Sequence, residues 1–418
     1  MKKMWRSGLI FTAANFLVGI GNFAFQTIIG NHITSVGQYG LVNSTLVFIN
    51  LLGLPVAIAT QAVTHYVARF NFTGDDRRLQ GLLAGCHKFL LRLTILGSLL
   101  AVLLVKPLGD FFHFPTRLVV IALVCVLAGL WGGFATALCQ GMAWFKRLAL
   151  ISILTVLLRL AWGGLVVWKF PTADWAVMAT GVSTLSFAIL LFWKKDLSWS
   201  SQGAVSPWDR EFIRFFIVAA ACTGGTICIT QGDLLVANKY FLVKSDMDAY
   251  SAAGVLARAL TMTVGPLLTI LFTHRSSAHA HSKDDLAEQF KMLGLYSLGL
   301  AAGAIGLLLL RTYLLELLHK YSPEAAAMVG PLAWTMVFVG LMQALGMWAL
   351  ASRWLKISLL YGGLGLAYWL TLLFFGTNPA AMLRIMPIAA GVAFAILFAG
   401  WLMAMRKGSH TPSSPAQA

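Results

Sequence analysis

From Ser7 to Ala68 the chain carries no aspartate, glutamate, lysine or arginine. A helix that crosses a bilayer needs roughly 20 mostly apolar residues, so a run of this length holds two such helices. They divide at the turn residues Gly30-Asn31-His32 through Gly37-Gln38-Tyr39-Gly40. The pattern then repeats: Leu82 to Val105, Leu118 to Cys139, Leu148 to Trp168, Trp175 to Trp193, Phe215 to Ala237, Tyr250 to Phe272, Met292 to Leu310, Ala325 to Leu350, Ile357 to Phe375 and Ile385 to Met405. The expectation is an all-α integral membrane protein of about twelve transmembrane helices. Composition agrees, with 59% hydrophobic and 11% charged residues, where a soluble domain carries roughly 25% charged. In a soluble chain the formal charge of +16 would point to nucleic acid. Here the basic residues sit in short clusters between apolar runs, so no nucleic-acid partner is expected and the neighbours are membrane lipids. Met1-Lys2-Lys3-Met4-Trp5-Arg6 opens like a signal peptide. The apolar run behind it is too long and has no small-residue cleavage site, which makes it an uncleaved first helix.

Lysine and arginine in short loops stay on the cytoplasmic side, which orients the chain. With the N-terminus inside, the cytoplasmic loops collect most of the basic residues, leaving Lys106, Arg117, Lys169, Lys239, Lys244, Lys320 and Arg384 outside. Both termini are therefore expected in the cytoplasm, with the chain multi-pass in its membrane. The connection 194–214 falls at mid-chain, and Tyr39 and Pro55 recur as Tyr250 and Pro266 at one common offset. With six helices per half, both copies share one orientation, related by an axis along the membrane normal. The expected units are an N-terminal six-helix lobe (1–193), a cytoplasmic interlobe linker (194–214), a C-terminal six-helix lobe (215–405) and a disordered tail (406–418). A central cavity lies between the lobes.

Function must then reside among the helices, because no connection is long enough for a soluble domain. A charge at the bilayer centre costs roughly 2.5 to 3.5 kcal/mol on insertion scales, so those that persist face water or a partner. Arg159 sits about eleven residues into the fifth span, roughly 16 Å deep, too deep to snorkel easily. Lys88 and Arg92 share a helix face; Lys88 reaches the cytoplasm readily, Arg92 less so. Asp233 and Arg258 lie at similar depths on adjacent spans, either lining the cavity or pairing to pin two helices. Asn15, Asn22 and Gln26 fall on one stripe of the first helix, suited to lining a cleft. Most of the other intramembrane amides, Asn43, Asn50 and Gln231 among them, read as interhelical glue. Pro55, Pro266, Pro331 and Pro387 mark kinks. Cys86, Cys125, Cys139, Cys222 and Cys228 all stand in apolar stretches, without Cys-x-x-Cys or metal-ligand spacing, and read as packing residues. The histidines of His274 to His281 read as a solvated loop. No phosphate-cradling glycine loop or external acidic pair suggests an enzyme.

Three stretches carry a family resemblance: Gln26-Thr27-Ile28-Ile29 through Val36-Gly37-Gln38-Tyr39-Gly40; Gln140-Gly141-Met142-Ala143-Trp144-Phe145-Lys146 with Leu158-Arg159-Leu160; and Asp233-Leu234-Leu235-Val236-Ala237-Asn238 through Asp248-Ala249-Tyr250-Ser251-Ala252-Ala253. In these the chain resembles the oligosaccharide-lipid flippases of the multidrug/oligosaccharidyl-lipid/polysaccharide exporter superfamily, the O-antigen (Wzx-like) group in particular. It departs at Lys244-Ser245-Asp246-Met247-Asp248, where that group more usually has glycine before the tyrosine. The resemblance implies two lobes that open alternately around a cavity, and an undecaprenyl-diphosphate-linked oligosaccharide as substrate. On that reading Arg159, and with it Arg92 and Arg258, is expected to attract the diphosphate or acidic sugars, with Asp233, Asn22 and Gln26 completing the cavity. No cofactor or metal is implied; a proton or sodium gradient as driving force and a glycan polymerase as partner are left open. The competing readings are a multidrug efflux antiporter or a lipid II flippase of the same fold and, further off, a membrane-bound glycan polymerase or ligase.

Overall fold

The computed structural model describes residues 2–192, 210–280, 286–351 and 354–408. Among these residues every regular element is a helix. The first half comprises α1 (Lys2–His32), α2 (Gln38–Leu52), α3 (Leu54–Thr73), α4 (Asp76–Phe112), α5 (Thr116–Gly141), α6 (Phe145–Trp162), a π-helical turn (Gly163–Val167) and α7 (Ala173–Phe192). The second half comprises α8 (Arg210–Tyr240), α9 (Lys244–Ala280), α10 (Leu286–Leu317), α11 (Pro323–Ala351), α12 (Leu355–Phe375) and α13 (Pro379–Gly408). Nine of the helices among the described residues are long and apolar enough to cross a membrane; α2 and α3, taken together, supply a tenth span. Residues 194–209 of the expected linker and 409–418 of the expected tail lie outside the described residues, as does His281.

The return helix after Gly40 is bent by 49° between α2 and α3. Its cause is local: Gly53 closes α2 by donating to the Ile49 carbonyl at 2.8 Å, and Pro55 in the first turn of α3 has no N–H with which to continue the ladder. The span expected over Leu148 to Trp168 is helical throughout, but it widens into the π-turn directly after Trp162.

Within the first half α3 and α7 pack on α5, and α1 packs on α6; within the second α8 packs on α12 and α9 on α11. The halves meet where α2 lies against α8 and α9, and where α3 lies against α8. Call the end bearing the N-terminus the near face and the other end the far face. Along α1, Phe25, Ile29 and Gly30 toward the far face are buried, whereas Asn15, Phe16, Leu17 and Ile20 toward the near face are exposed. α8 follows suit, buried continuously from Asp233 to Ala237 and only intermittently before Ile229. Along α1 and α8 burial thus deepens toward the far face, where the two halves are in contact.

Lipid offers no hydrophobic drive between helices, so close approach of small residues has to hold them. A Cβ on Gly225 of α8 would stand 2.9 Å from Gly362 Cα of α12, and one on Gly365 would stand 2.7 Å from the Gly225 carbonyl oxygen. Beside this contact the hydroxyls of Thr226 and Tyr361 are hydrogen-bonded at 2.8 Å. Gly225→Leu is therefore expected to push α8 and α12 apart and lower the thermal unfolding midpoint in detergent. Gly363→Leu, at a position with nothing within 4 Å, is the matched control, and equal midpoints for the two variants would refute the packing role.

Candidate functional site

Arg159 lies in the last turn of α6, immediately before the π-turn. Its Nη1 donates to Asn22 Oδ1 of α1 at 3.1 Å, and its guanidinium carbon sits 4.4 Å above the centroid of the Phe25 ring. Its Nε is buried with no partner. Gly163 permits the contact, since a Cβ there would meet the Phe25 ring at 3.0 Å. The cation is held by a neutral amide and a ring face, and no ion pair joins it to a carboxylate among the described residues. Such a group is oriented without being neutralised, and its charge stays available to an anion.

One turn further along α1, Gln26 belongs to a different network. Its Nε2 donates to Asn43 Oδ1 at 3.0 Å, and its Oε1 accepts from the Tyr39 hydroxyl at 3.1 Å. Asn43 Nδ2 in turn donates to the Tyr39 carbonyl at 3.1 Å. Gln26 therefore spends both ends of its amide tying α1 to α2.

Asp233 and Arg258 form an ion pair between α8 and α9, Nη2 of the arginine donating to both carboxylate oxygens at 2.7 and 2.5 Å. Arg258 Nε donates to the Thr230 carbonyl at 2.9 Å, and the Tyr250 hydroxyl donates to Asp233 Oδ2 at 2.7 Å. Both are sealed, at 8% and 1% exposure. Arg92, by contrast, is exposed on α4, on the stripe carried on by Ile95, Leu96, Leu99 and Leu103, all more than 60% exposed. The structure therefore brings Arg159 together with Asn22 and Asp233 together with Arg258. Gln26 stands apart in its amide network, and Arg92 stands apart on an outer face. Of the cysteines, Cys125, Cys139 and Cys222 are buried while Cys86 and Cys228 are half-buried.

Other polar groups join the two halves. Asn50 Nδ2 of α2 donates to Gln231 Oε1 of α8 at 2.7 Å; the Ser44 hydroxyl donates to Asn238 Oδ1 at 3.3 Å, and Asn238 Nδ2 donates to the Phe112 carbonyl at 2.5 Å. At the far face, Asp248 accepts from the backbone N–H groups of Gly37 and Gly40, each at 2.6 Å. Lys320 Nζ donates to the Ile33 carbonyl at 2.7 Å. Neither Asp248 nor Lys320 stands out by residue type or depth. The signal that points to Asp248 is the repeat: it follows Gly37 by 211 residues, the offset that also relates Tyr39 to Tyr250.

No family model matches the chain, and no curated protein matches it in sequence. Its fold nevertheless has solved counterparts over nearly its full length. An inward-facing MATE-family multidrug resistance transporter of the MOP superfamily is similar at TM-score 0.64 and 12% identity, covering 97% of this chain and 100% of that one. The lipid II flippase MurJ, in an inward closed conformation, is similar at TM-score 0.68 and 12% identity, covering 94% and 87%. The eukaryotic MATE transporter AtDTX14 is similar at TM-score 0.64 and 16% identity, covering 96% and 95%. The chain therefore has the two-lobed, all-helical membrane fold found in MATE transporters and in the lipid II flippase.

Proposed function

We propose that the chain flips an undecaprenyl-diphosphate-linked oligosaccharide across the bacterial cytoplasmic membrane, its two halves (1–193 and 215–405) opening alternately to either side. In this reading the near face is cytoplasmic and carries both termini. Spontaneous passage is slow because sugars and a diphosphate would have to leave water for hydrocarbon. A cleft that stays wet and offers a cation lowers that barrier, while the polyprenyl chain remains in lipid. The observation that carries the proposal is Arg159, a half-buried guanidinium fixed by Asn22 and Phe25 with no carboxylate paired to it among the described residues. That one structure of the same fold is a lipid II flippase supports a lipid-borne substrate. An efflux antiporter would need a free carboxylate in its cleft, and Asp233 is already committed to Arg258 and Tyr250. A role in transport without catalysis accords with neighbours that are transporters and flippases.

The test is reconstitution into vesicles holding undecaprenyl-diphosphate oligosaccharide in both leaflets. An impermeant glycan-oxidising reagent reaches only the outer pool of protein-free vesicles and is expected to reach the whole pool once the protein is present. Protection of the inner pool, combined with gradient-driven extrusion of a cationic dye, would overturn the proposal in favour of efflux.

A further inference from the structure

Gly37 is the N-cap of α2, in the left-handed conformation with φ 83° and with no side-chain cap of its own. The missing cap comes from the other half of the molecule. Asp248, near the start of α9, accepts at 2.6 Å from the N–H of Gly37 and at 2.6 Å from that of Gly40. These are the amides that a helix start leaves without intrahelical partners, and the end of the helix that favours a negative charge. Just before this turn α1 ends, and a helix end favours a positive charge. Lys320, between α10 and α11, donates there to the Ile33 carbonyl at 2.7 Å, with its Nζ 5.3 Å from the centre of the Tyr39 ring. One short turn is thus gripped from the opposite half by an anion at its helix start and a cation at its helix end.

The internal repeat locates this grip. Gly37 and Asp248 are 211 residues apart, as are Tyr39 and Tyr250, so they are equivalent positions of the two halves. Equivalent residues that touch must straddle the pseudo-two-fold axis. The carboxylate is present on one side only: Asp248 caps α2, and glycine at 37 has no side chain to return to α9. Close packing completes the seam, since a Cβ on Gly40 would stand 2.6 Å from Met247 Cγ.

We propose that the α1–α2 turn is an electrostatic latch that holds the far face shut, with Asp248 and Lys320 each bonded to the helix end it touches. Opening the far face draws α2 away from α9 and breaks both grips together. Water then solvates the freed amides and the freed carboxylate, so the latch exchanges one set of hydrogen bonds for another and can close again. The inference rests on the alternating opening proposed above. Its test needs no substrate, so a failed latch and a failed transport assignment are read separately.

Spin labels are placed on exposed far-face residues of each half, at Arg117 and Thr377, in a background cleared of native cysteines, and their distance distribution is measured in lipid nanodiscs. The parent is expected to give one short population. Asp248→Asn and Lys320→Met are each expected to add a longer population absent from the parent, whereas Asp248→Glu, which keeps the charge, stays closed. Asp246→Asn, on the same turn of α9 but outside these bonds, is expected to match the parent. The exchange Asp248→Lys with Lys320→Asp puts each charge at the wrong helix end and is expected to remain open. Closure restored by that exchange would overturn the inference by showing a simple ion pair. Parent-like distributions in both single variants would overturn it outright, and because the two charges stand on different elements, one variant that folds is enough for the test.

Discussion

Arg258→Ala is expected to destabilise the protein by about 3–5 kcal/mol, because it leaves a carboxylate buried without its counter-charge. Asp233 is 1% exposed, and apart from Arg258 its contact is the Tyr250 hydroxyl at 2.7 Å. One neutral donor does not replace a guanidinium that also reaches the Thr230 carbonyl at 2.9 Å and so pins α8 to α9. Asp233→Ala is expected to fail for the mirror reason, stranding a cation whose Nη1 already lacks a partner. Removing both charges is different. The double variant Asp233→Leu/Arg258→Met takes two desolvation penalties out of the folded state, and replacements of this kind in buried pairs are often neutral or better. Its thermal midpoint in detergent should therefore sit well above that of either single variant and close to the parent. Flipping by the double variant then assigns the pair's role. Retained flipping makes the pair scaffolding, and a stable double variant that no longer flips would place the pair in the transport cycle.

This pair shows how far residue identity carries on its own. Similar depths on adjacent spans left pairing and cavity-lining equally open, and the sealed ion-pair geometry is what decides between two neighbours of opposite charge. Most of the membrane spans, though not all twelve expected, were readable for a simpler reason: the hydrocarbon core tolerates few charges, so charge-free runs such as Ser7 to Ala68 have one solvent available to them. The bend at Pro55 was equally readable, because a missing N–H is a property of the residue itself. Faces were not. Spacing shows that Lys88 and Arg92 share a side of α4, but which side meets protein depends on partners that spacing does not name, and Arg92 falls among Ile95 and exposed leucines. Likewise the stripe of Asn22 and Gln26 divides between two networks, because Tyr39 and Asn43 on α2 claim the glutamine. The latch was the least readable feature, since its partners are backbone amides and a carbonyl, which every residue has.

Arg159→Leu is expected to yield a protein that unfolds at a higher temperature than the parent and does not flip its substrate. The two effects share one cause. A guanidinium at this depth costs roughly 2.5–3.5 kcal/mol on insertion scales, and its compensation here is one hydrogen bond to Asn22 and one ring face, with Nε unsatisfied. Removing it relieves the folded state, as expected where a site is kept at the expense of stability. It also removes the cation proposed to meet the diphosphate, so flipping should fall to the protein-free rate. Arg159→Lys separates charge from shape: the ammonium keeps the charge but loses the planar fork and its stacking on Phe25, so partial activity is expected. Asn22→Ala leaves the charge in place and frees its direction, and should slow flipping less than loss of the arginine does. The thermal midpoint is what makes this decisive. A leucine variant that loses stability together with activity would identify Arg159 as a strut between α1 and α6, and the anion-binding role would have to be sought elsewhere in the cleft.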